Sequence, residues 1–333
     1  MERRIRVIQY GIGPIGQKVT AYLNEKRNVQ IVGAIDSDLE KRNIDLGELA
    51  GLASPLGVTV SGESARVLND IEADVVVLTT TSTVKNIQPQ IMEIVLSGKN
   101  VISSCEELVY PWRTEPQIAK EIDLAAVEHQ VSVLSTGVNP GFIMDFLPLA
   151  MTGICQQIRK ITVERIQDAR LRRIPFQRKI GAGLSLEQFN QRVEEGVLRH
   201  VGLVESMHLL AAGMGWSLDS AEDHISPVVA SERLSSADVT IDAGMAAGVR
   251  QIGRGFMHNE EVITLLFEAT IGEQTPRDRI VIEGNPDVDM TIKSGVNGDI
   301  ATTALIVNAI PVVIDAAPGL RTMIDAGPVP FWT

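Results

Sequence analysis

Over the first 150 positions, short apolar runs alternate with stretches that carry apolar residues at helical spacing. Residues 5–10, 29–35, 74–79, 100–104 and 131–134 are β-branched or apolar runs of strand length. Between them, Val19, Tyr22 and Leu23, the segment 87–97, and Ile118, Ile122, Ala125 and Ala126 within 115–129 each mark one face of a helix. Alternation of this kind predicts a parallel sheet covered by helices on both faces. Ligands on such sheets bind beyond the carboxyl ends of the strands. Chemistry is therefore expected in 11–16, 36–38, 79–83, 103–107 and 136–142.

From about residue 155 the pattern changes. Residues 161–166 alternate with period two, as a half-buried strand does. Helices are expected over 186–198 and 204–214, the first capped by Ser185 with Gln188 three positions on. Strands over 225–232, 248–258, 262–271 and 279–283 read as an antiparallel sheet with helices on one face. Residues 299–316 return to an apolar helix with Asp299 as its cap, and 326–330 are irregular. The chain is thus expected to be α/β. A doubly wound parallel sheet occupies 1–150, and an α+β domain with a mixed or antiparallel sheet occupies 151–298. The helix near 299–316 packs back on the first domain.

The turn after the first strand has G-x-G-x-x-G spacing at Gly11, Gly13 and Gly16, with Ile12, Pro14 and Ile15 between. In a strand–turn–helix unit these glycines make the turn, admit a pyrophosphate and let helix and strand approach. Such triplets also arise in surface turns. Here a strand precedes, a helix follows, and Asp36 closes the second strand, where a carboxylate meets ribose hydroxyls. The context predicts a Rossmann-type dinucleotide site.

The net charge of −12 argues against nucleic acid, which needs a basic footprint. No signal segment and no 18-residue apolar run is evident, so no membrane and a cytoplasmic location are expected. Cys105 and Cys155 form no disulfide framework, and no dense cluster of metal ligands is expected.

Thr79, Thr80, Thr81, Ser82 and Thr83 are either strand-end hydroxyls or hydrogen-bond partners of a cofactor. Cys105-Glu106-Glu107 places two acids after a strand. One is expected to face the cleft, where it holds an ammonium group and moves protons, and the other to be solvated. Asn139-Pro140-Gly141 reverses the chain, and Asn139 is a candidate for the nicotinamide carboxamide or ribose. Arg165, Arg170, Arg172, Arg173, Arg178 and Lys179 form a basic run, read either as a solvated face or as an anion or subunit contact. His258 is kept as a pocket candidate at a strand end.

Taken together, Gly11 to Gly16, Ser104-Cys105-Glu106-Glu107, Thr136-Gly137-Val138-Asn139-Pro140-Gly141-Phe142, Lys179-Ile180-Gly181 and Gly298-Asp299-Ile300-Ala301-Thr302 resemble the 2,4-diaminopentanoate dehydrogenase family. That family includes the native amine dehydrogenases and is distantly related to dihydrodipicolinate reductase. The resemblance implies reductive amination of a ketone with ammonia by NAD(P)H, the reverse deamination of an amine or diamino acid, and a homodimer. It implies Glu106 as the ammonium-binding acid/base, with Glu107 the second choice. The cofactor would be held by Gly11, Ile12, Gly13, Pro14, Ile15, Gly16, Asp36, Ser37, Lys41, Arg42, Thr79, Thr80, Thr81, Asn139 and Pro140. Asp36 favours NAD, while Lys41 and Arg42 suit the 2′-phosphate of NADP, so both cofactors are expected. Val138, Ile143, Ile166, Leu171, Thr302 and Thr303 would line the substrate. Residues 165–183 lack the His-His-x-x-Lys segment of dihydrodipicolinate reductases, which ranks an imine reductase of that kind lower. A non-catalytic NAD(P)-binding regulator is the third reading.

Overall fold

The computed structural model describes residues 4–171, 174–236 and 239–333, so Arg172 and Arg173 of the basic run lie outside the described residues. The chain forms two units, Met1–Phe142 with Asn297–Thr333, and Ile143–Val296.

The first unit opens with β1 (Ile5–Tyr10), α1 (Pro14–Asn24), β2 (Val29–Ile35), α2 (Leu46–Leu49), β3 (Val60–Ser61) and α3 (Ser64–Asp70). It continues through β4 (Val75–Leu78), α4 (Val84–Leu96), β5 (Asn100–Ser103), α5 (Pro111–Thr114), α6 (Pro116–Glu128) and β6 (Ser132–Ser135). All pairings in this sheet are parallel. β4 and β6 are buried at every residue, and β1 and β5 at all but their first residues, as a parallel sheet covered on both faces requires. The apolar face of α4 (Val84, Ile87, Ile91, Ile94) and that of α6 (Ala119, Ile122, Ala126) share one core with Val76, Leu78, Val101 and Val133.

The second unit contains α7 (Phe146–Thr152), β7 (Gln157–Asp168), α8 (Ile174–Lys179), α9 (Leu186–Glu194) and α10 (Leu203–Gly213). Then follow β8 (Ser220–Val229), β9 (Leu234–Ser235), β10 (Thr240–Ile241), β11 (Ala246–Met257), β12 (Glu260–Thr270), β13 (Arg277–Asn285) and β14 (Val288–Lys293). Ser185 and Gln188 form the expected capping box on α9. The large sheet has the order β14-β13-β7-β12-β11-β8. Of the two expected arrangements, mixed or antiparallel, it is the mixed one: β7 and β12 run parallel, and the other pairings are antiparallel. The hairpin between β11 and β12 turns at His258 and Asn259, both at positive φ. It sets β12 alongside β7 in the same direction. His258, expected to end a strand, belongs to this turn.

The returning segment supplies α11 (Gly298–Asn308), α12 (Ile310–Asp315), β15 (Gly319–Arg321) and α13 (Met323–Ala326) to the first unit. The helix expected over 299–316 breaks at Ala309, where Pro311 starts a new helix. The cap is Asn297, whose Oδ1 accepts from the N–H groups of Asp299 and Ile300. Asp299 instead accepts from Lys18 on α1 at 2.9 Å. Gly298–Asp315 reaches a mean hydropathy of 1.4 over 18 residues, so the expected absence of an apolar stretch of that length does not hold. β15 pairs with β6 and completes the order β15-β6-β5-β4-β1-β2-β3.

Candidate active site and cofactor cleft

At the glycine turn the side chain is excluded by geometry. A Cβ on Gly16 would lie 2.0 Å from the Gly11 carbonyl oxygen and 2.9 Å from Thr79 Oγ1. Gly11 itself sits at φ +90°. Beneath the turn, the Gln9 side chain donates to the Gly11 carbonyl and to Thr79 Oγ1, each at 2.9 Å, and Thr79 Oγ1 donates to the same carbonyl at 2.7 Å. This brace holds the turn open. At Gly13 a Cβ would meet nothing within 4 Å, and α1 begins there without a side-chain cap or an acid in its first turn. An uncapped helix start with open space before it fits a phosphate.

The turn opens on a cleft of about 390 Å³ lined by Tyr10, Gly11, Gly13, Asp36, Ser37, Lys41, Thr79, Thr80, Thr81, Asn86 and Gln90. Asp36 is almost fully buried. Its Oδ2 accepts from the Ile12 N–H at 2.7 Å and from the Lys41 ammonium at 3.0 Å, and its Oδ1 accepts from the Asp38 N–H at 2.9 Å. Burial disfavours the charge, but these donors outweigh it and hold the carboxyl below its ordinary range. Burial likewise opposes the Lys41 charge, and its contacts with Asp36 and Asp38 more than compensate, raising its pKa. Arg42 is not among the lining residues; its guanidinium lies against Gly62. Ile12 contributes only its N–H, its side chain being in a core with Ala34, Leu46 and Val60.

The two adjacent acids are separated by their surroundings. The Ser104 N–H donates to the Leu78 carbonyl, the Cys105 N–H to Ser103 Oγ, and Ser135 Oγ to the Cys105 carbonyl, so the backbone leading into Glu106 is pinned to both neighbouring strands. Glu107 donates its N–H to the Ser82 carbonyl, and its carboxylate accepts from the Val84 N–H at 2.9 Å. Glu107 thus caps α4 from a distance, where Thr83 supplies no side-chain cap of its own. Glu106 is half-buried at the start of a 3-10 turn. The neighbouring Cys105 is fully buried, and burial pushes its thiol above its ordinary range.

Asn139 is buried, and its bond to Pro140 is cis. Gly141 follows at φ +121°, and a Cβ there would lie 2.6 Å from the Gly137 nitrogen. The Val138 N–H donates to Thr302 Oγ1 at 3.2 Å, so α11 braces this turn. The Thr303 hydroxyl donates to the Asp299 carbonyl within α11. In the second unit Ile143 and Ile166 are buried. Leu171 closes a 3-10 turn, and its side chain is outside the described residues. Arg170 is paired with Asp168. Sequence reasoning missed Gln9, Tyr10, Asn86 and Gln90. The last two are polar side chains one turn apart on α4, a spacing with no signature of its own.

A parallel sheet with an open glycine turn and a buried acid just past its second strand is the arrangement of a dinucleotide-binding domain. Residues 142–331 match the 2,4-diaminopentanoate dehydrogenase C-terminal domain, and residues 5–103 match the N-terminus of dihydrodipicolinate reductase. The chain is 36% identical to 2,4-diaminopentanoate dehydrogenase from Acetoanaerobium sticklandii, over 98% of this chain and 94% of that one. It is 24% identical to an amine dehydrogenase from Streptomyces virginiae, over 96% of each. Among solved structures, amine dehydrogenase from Mycobacterium smegmatis shares the fold, with a TM-score of 0.88 at 24% identity over 99% of this chain and 98% of that one. The chain belongs to the 2,4-diaminopentanoate dehydrogenase family. It is an NAD(P)-dependent dehydrogenase acting on amines.

Proposed function

We propose that the protein interconverts a small ketone plus ammonia with the corresponding amine or diamino acid, and that Glu106 is the acid/base of the reaction. The observation that supports this assignment is positional: the Glu107 carboxylate caps α4, while Glu106 opens a 3-10 turn beyond the end of β5 on a backbone held to both neighbouring strands. The nicotinamide supplies or receives the hydride. The Glu106 carboxylate holds ammonium and takes a proton from it, so that the amine adds to the ketone carbonyl. It then returns a proton to the carbinolamine hydroxyl, which leaves as water and gives the iminium to be reduced. Deamination runs the same steps backwards, releasing ketone and ammonium.

Val138 and Thr302 are proposed as part of the substrate wall, and Ile143, Ile166 and Leu171 keep the apolar role that the family resemblance gives them. Asn139 and Pro140 are proposed at the nicotinamide end. Both cofactors are proposed to serve, with Asp36 accepting from the ribose hydroxyls of NAD and Lys41 turning to the 2′-phosphate of NADP. A dihydrodipicolinate reductase-like activity rests on residues 5–103 alone, the nucleotide half, and is not favoured. A second copy of the chain is proposed to cover the outer face of the six-stranded sheet. There Arg250–Glu268 and Arg277–Glu164 pairs flank the half-buried Ile252 and Leu266, and light scattering at the eluting peak tests it.

The proposal is tested by cofactor oxidation with a panel of small ketones, with and without ammonium, and by cofactor reduction with 2,4-diaminopentanoate. Turnover that needs ammonium supports it. No turnover in either direction with any member of the panel overturns it.

A further inference from the structure

We propose that Asn86 and Gln90 on α4 recognise the purine of the cofactor by its Hoogsteen edge, making the site selective for adenine. The inference rests on the dinucleotide reading of the cleft and goes beyond it. Both side chains line the same cleft as the glycine turn and Asp36. They lie four residues apart and so share one face of the helix. The glycine turn takes the pyrophosphate and Asp36 the ribose; of the remaining polar lining, Tyr10, Ser37, Lys41, Thr79, Thr80, Thr81, Asn86 and Gln90, only the last two are carboxamides.

Their bonding state fits the task. Gln90 Oε1 accepts from Thr80 Oγ1 at 2.5 Å, which fixes the rotation of its amide and leaves the NH₂ as a donor. Asn86 is exposed on the same face, and its side chain makes no hydrogen bond among the described residues. A carboxamide presents one acceptor and one donor side by side, matching the 6-amino group and N7 of adenine. Hypoxanthine carries a 6-oxo group there, so that edge offers two acceptors, and a carboxamide pairs with only one of them. Thr80 adds a positioning contact: it orients Gln90 without touching the base.

The test is titration of the purified protein by NADH fluorescence, against the analogue in which hypoxanthine replaces adenine (deamino-NADH). The wild type is expected to bind NADH roughly tenfold more tightly than deamino-NADH. Asn86→Ala combined with Gln90→Leu is expected to bring the two dissociation constants within about twofold of each other, by weakening NADH rather than by strengthening the analogue. Asn86→Asp, which keeps the shape but not the donor, is expected to lower the ratio on its own. Equal binding of the two dinucleotides by the wild type overturns the inference, as does a ratio that survives in the double variant. Binding of neither dinucleotide overturns the dehydrogenase reading instead, so the two failures are distinguishable. Circular dichroism of the variants confirms that folding is intact.

Discussion

The assignment of Glu107 to structure makes a quantitative prediction. α4 carries thirteen residues and buries Val84, Ile87, Ile91, Ile94 and Val95, so its position matters to the first unit. Its N-cap, Thr83, makes no capping bond, and its Oγ1 is buried without a partner among the described residues. The Glu107 carboxylate supplies the cap, 2.9 Å from the Val84 N–H. Glu107→Ala removes a capping bond worth about 0.5–2 kcal/mol and a charge at the positive end of the helix worth about 0.3–1 kcal/mol. The combined loss is about 1–3 kcal/mol, equivalent to a fall of about 2–12 °C in Tm for a unit of this size. Glu107→Gln keeps an acceptor oxygen and loses only the charge, so its fall is about a third as large. Differential scanning calorimetry gives the Tm, and steady-state kinetics at a temperature well below it gives kcat, which is expected to stay within about threefold of wild type. A Glu107→Ala protein with unchanged Tm, or a folded one with no chemistry, would refute the division of roles between the two acids.

Gly16→Ala places a Cβ 2.0 Å from the Gly11 carbonyl oxygen, so NADH binding measured by fluorescence is expected to fall about a hundredfold with a lowered Tm, while Gly13→Ala, whose Cβ meets nothing in the protein, is expected to weaken NADH and leave Tm unchanged. Arg165 and Asp278 form a fully buried pair at 2.8 Å, and burial already raises the Asp278 pKa. Arg165→Met is therefore expected to cost about 3–5 kcal/mol in chemical denaturation by stranding that carboxylate, and Asp278→Asn in the same background is expected to recover part of the loss. Asp36 has its pKa lowered below the ordinary 3.8, its partners overcoming burial; its contribution is thus present above that value and lost as pH falls through the lowered one. The ratio of NADH to NADPH affinity is expected to be flat in Asp36's share from pH 9 to pH 5, and Lys41→Ala to weaken NADPH about tenfold more than NADH.

What the sequence made legible was local. The glycine spacing, the buried strands of the first unit and the Ser185 capping box are each read from a few consecutive residues, and each holds. Asp36 was legible for the same reason, because it ends a strand at a fixed distance from the turn. The rest depends on residues far apart in the chain. That Glu107 caps α4 requires knowing that the end of β5 lies beside the start of a helix more than twenty residues earlier. The parallel pairing of β7 with β12 spans about a hundred residues, and no periodicity encodes it. Asn297 displaced Asp299 as the cap of α11 because Asp299 has a partner, Lys18, on α1. Arg42 looked equivalent to Lys41 in sequence, yet only Lys41 lines the cleft. Asn86 and Gln90 carry no signal in the sequence because amides on a helix are ordinary, and only the shared cleft distinguishes them.

The central claim is that Glu106 carries the proton chemistry. Single-turnover reductive amination by Glu106→Gln, with NADH affinity measured on the same sample, tests it most directly. The account predicts a loss of about a thousandfold in the amination rate, with the NADH dissociation constant within about threefold of wild type. Amination at the wild-type rate by Glu106→Gln, especially alongside its loss in a folded Glu107→Gln protein, would contradict it.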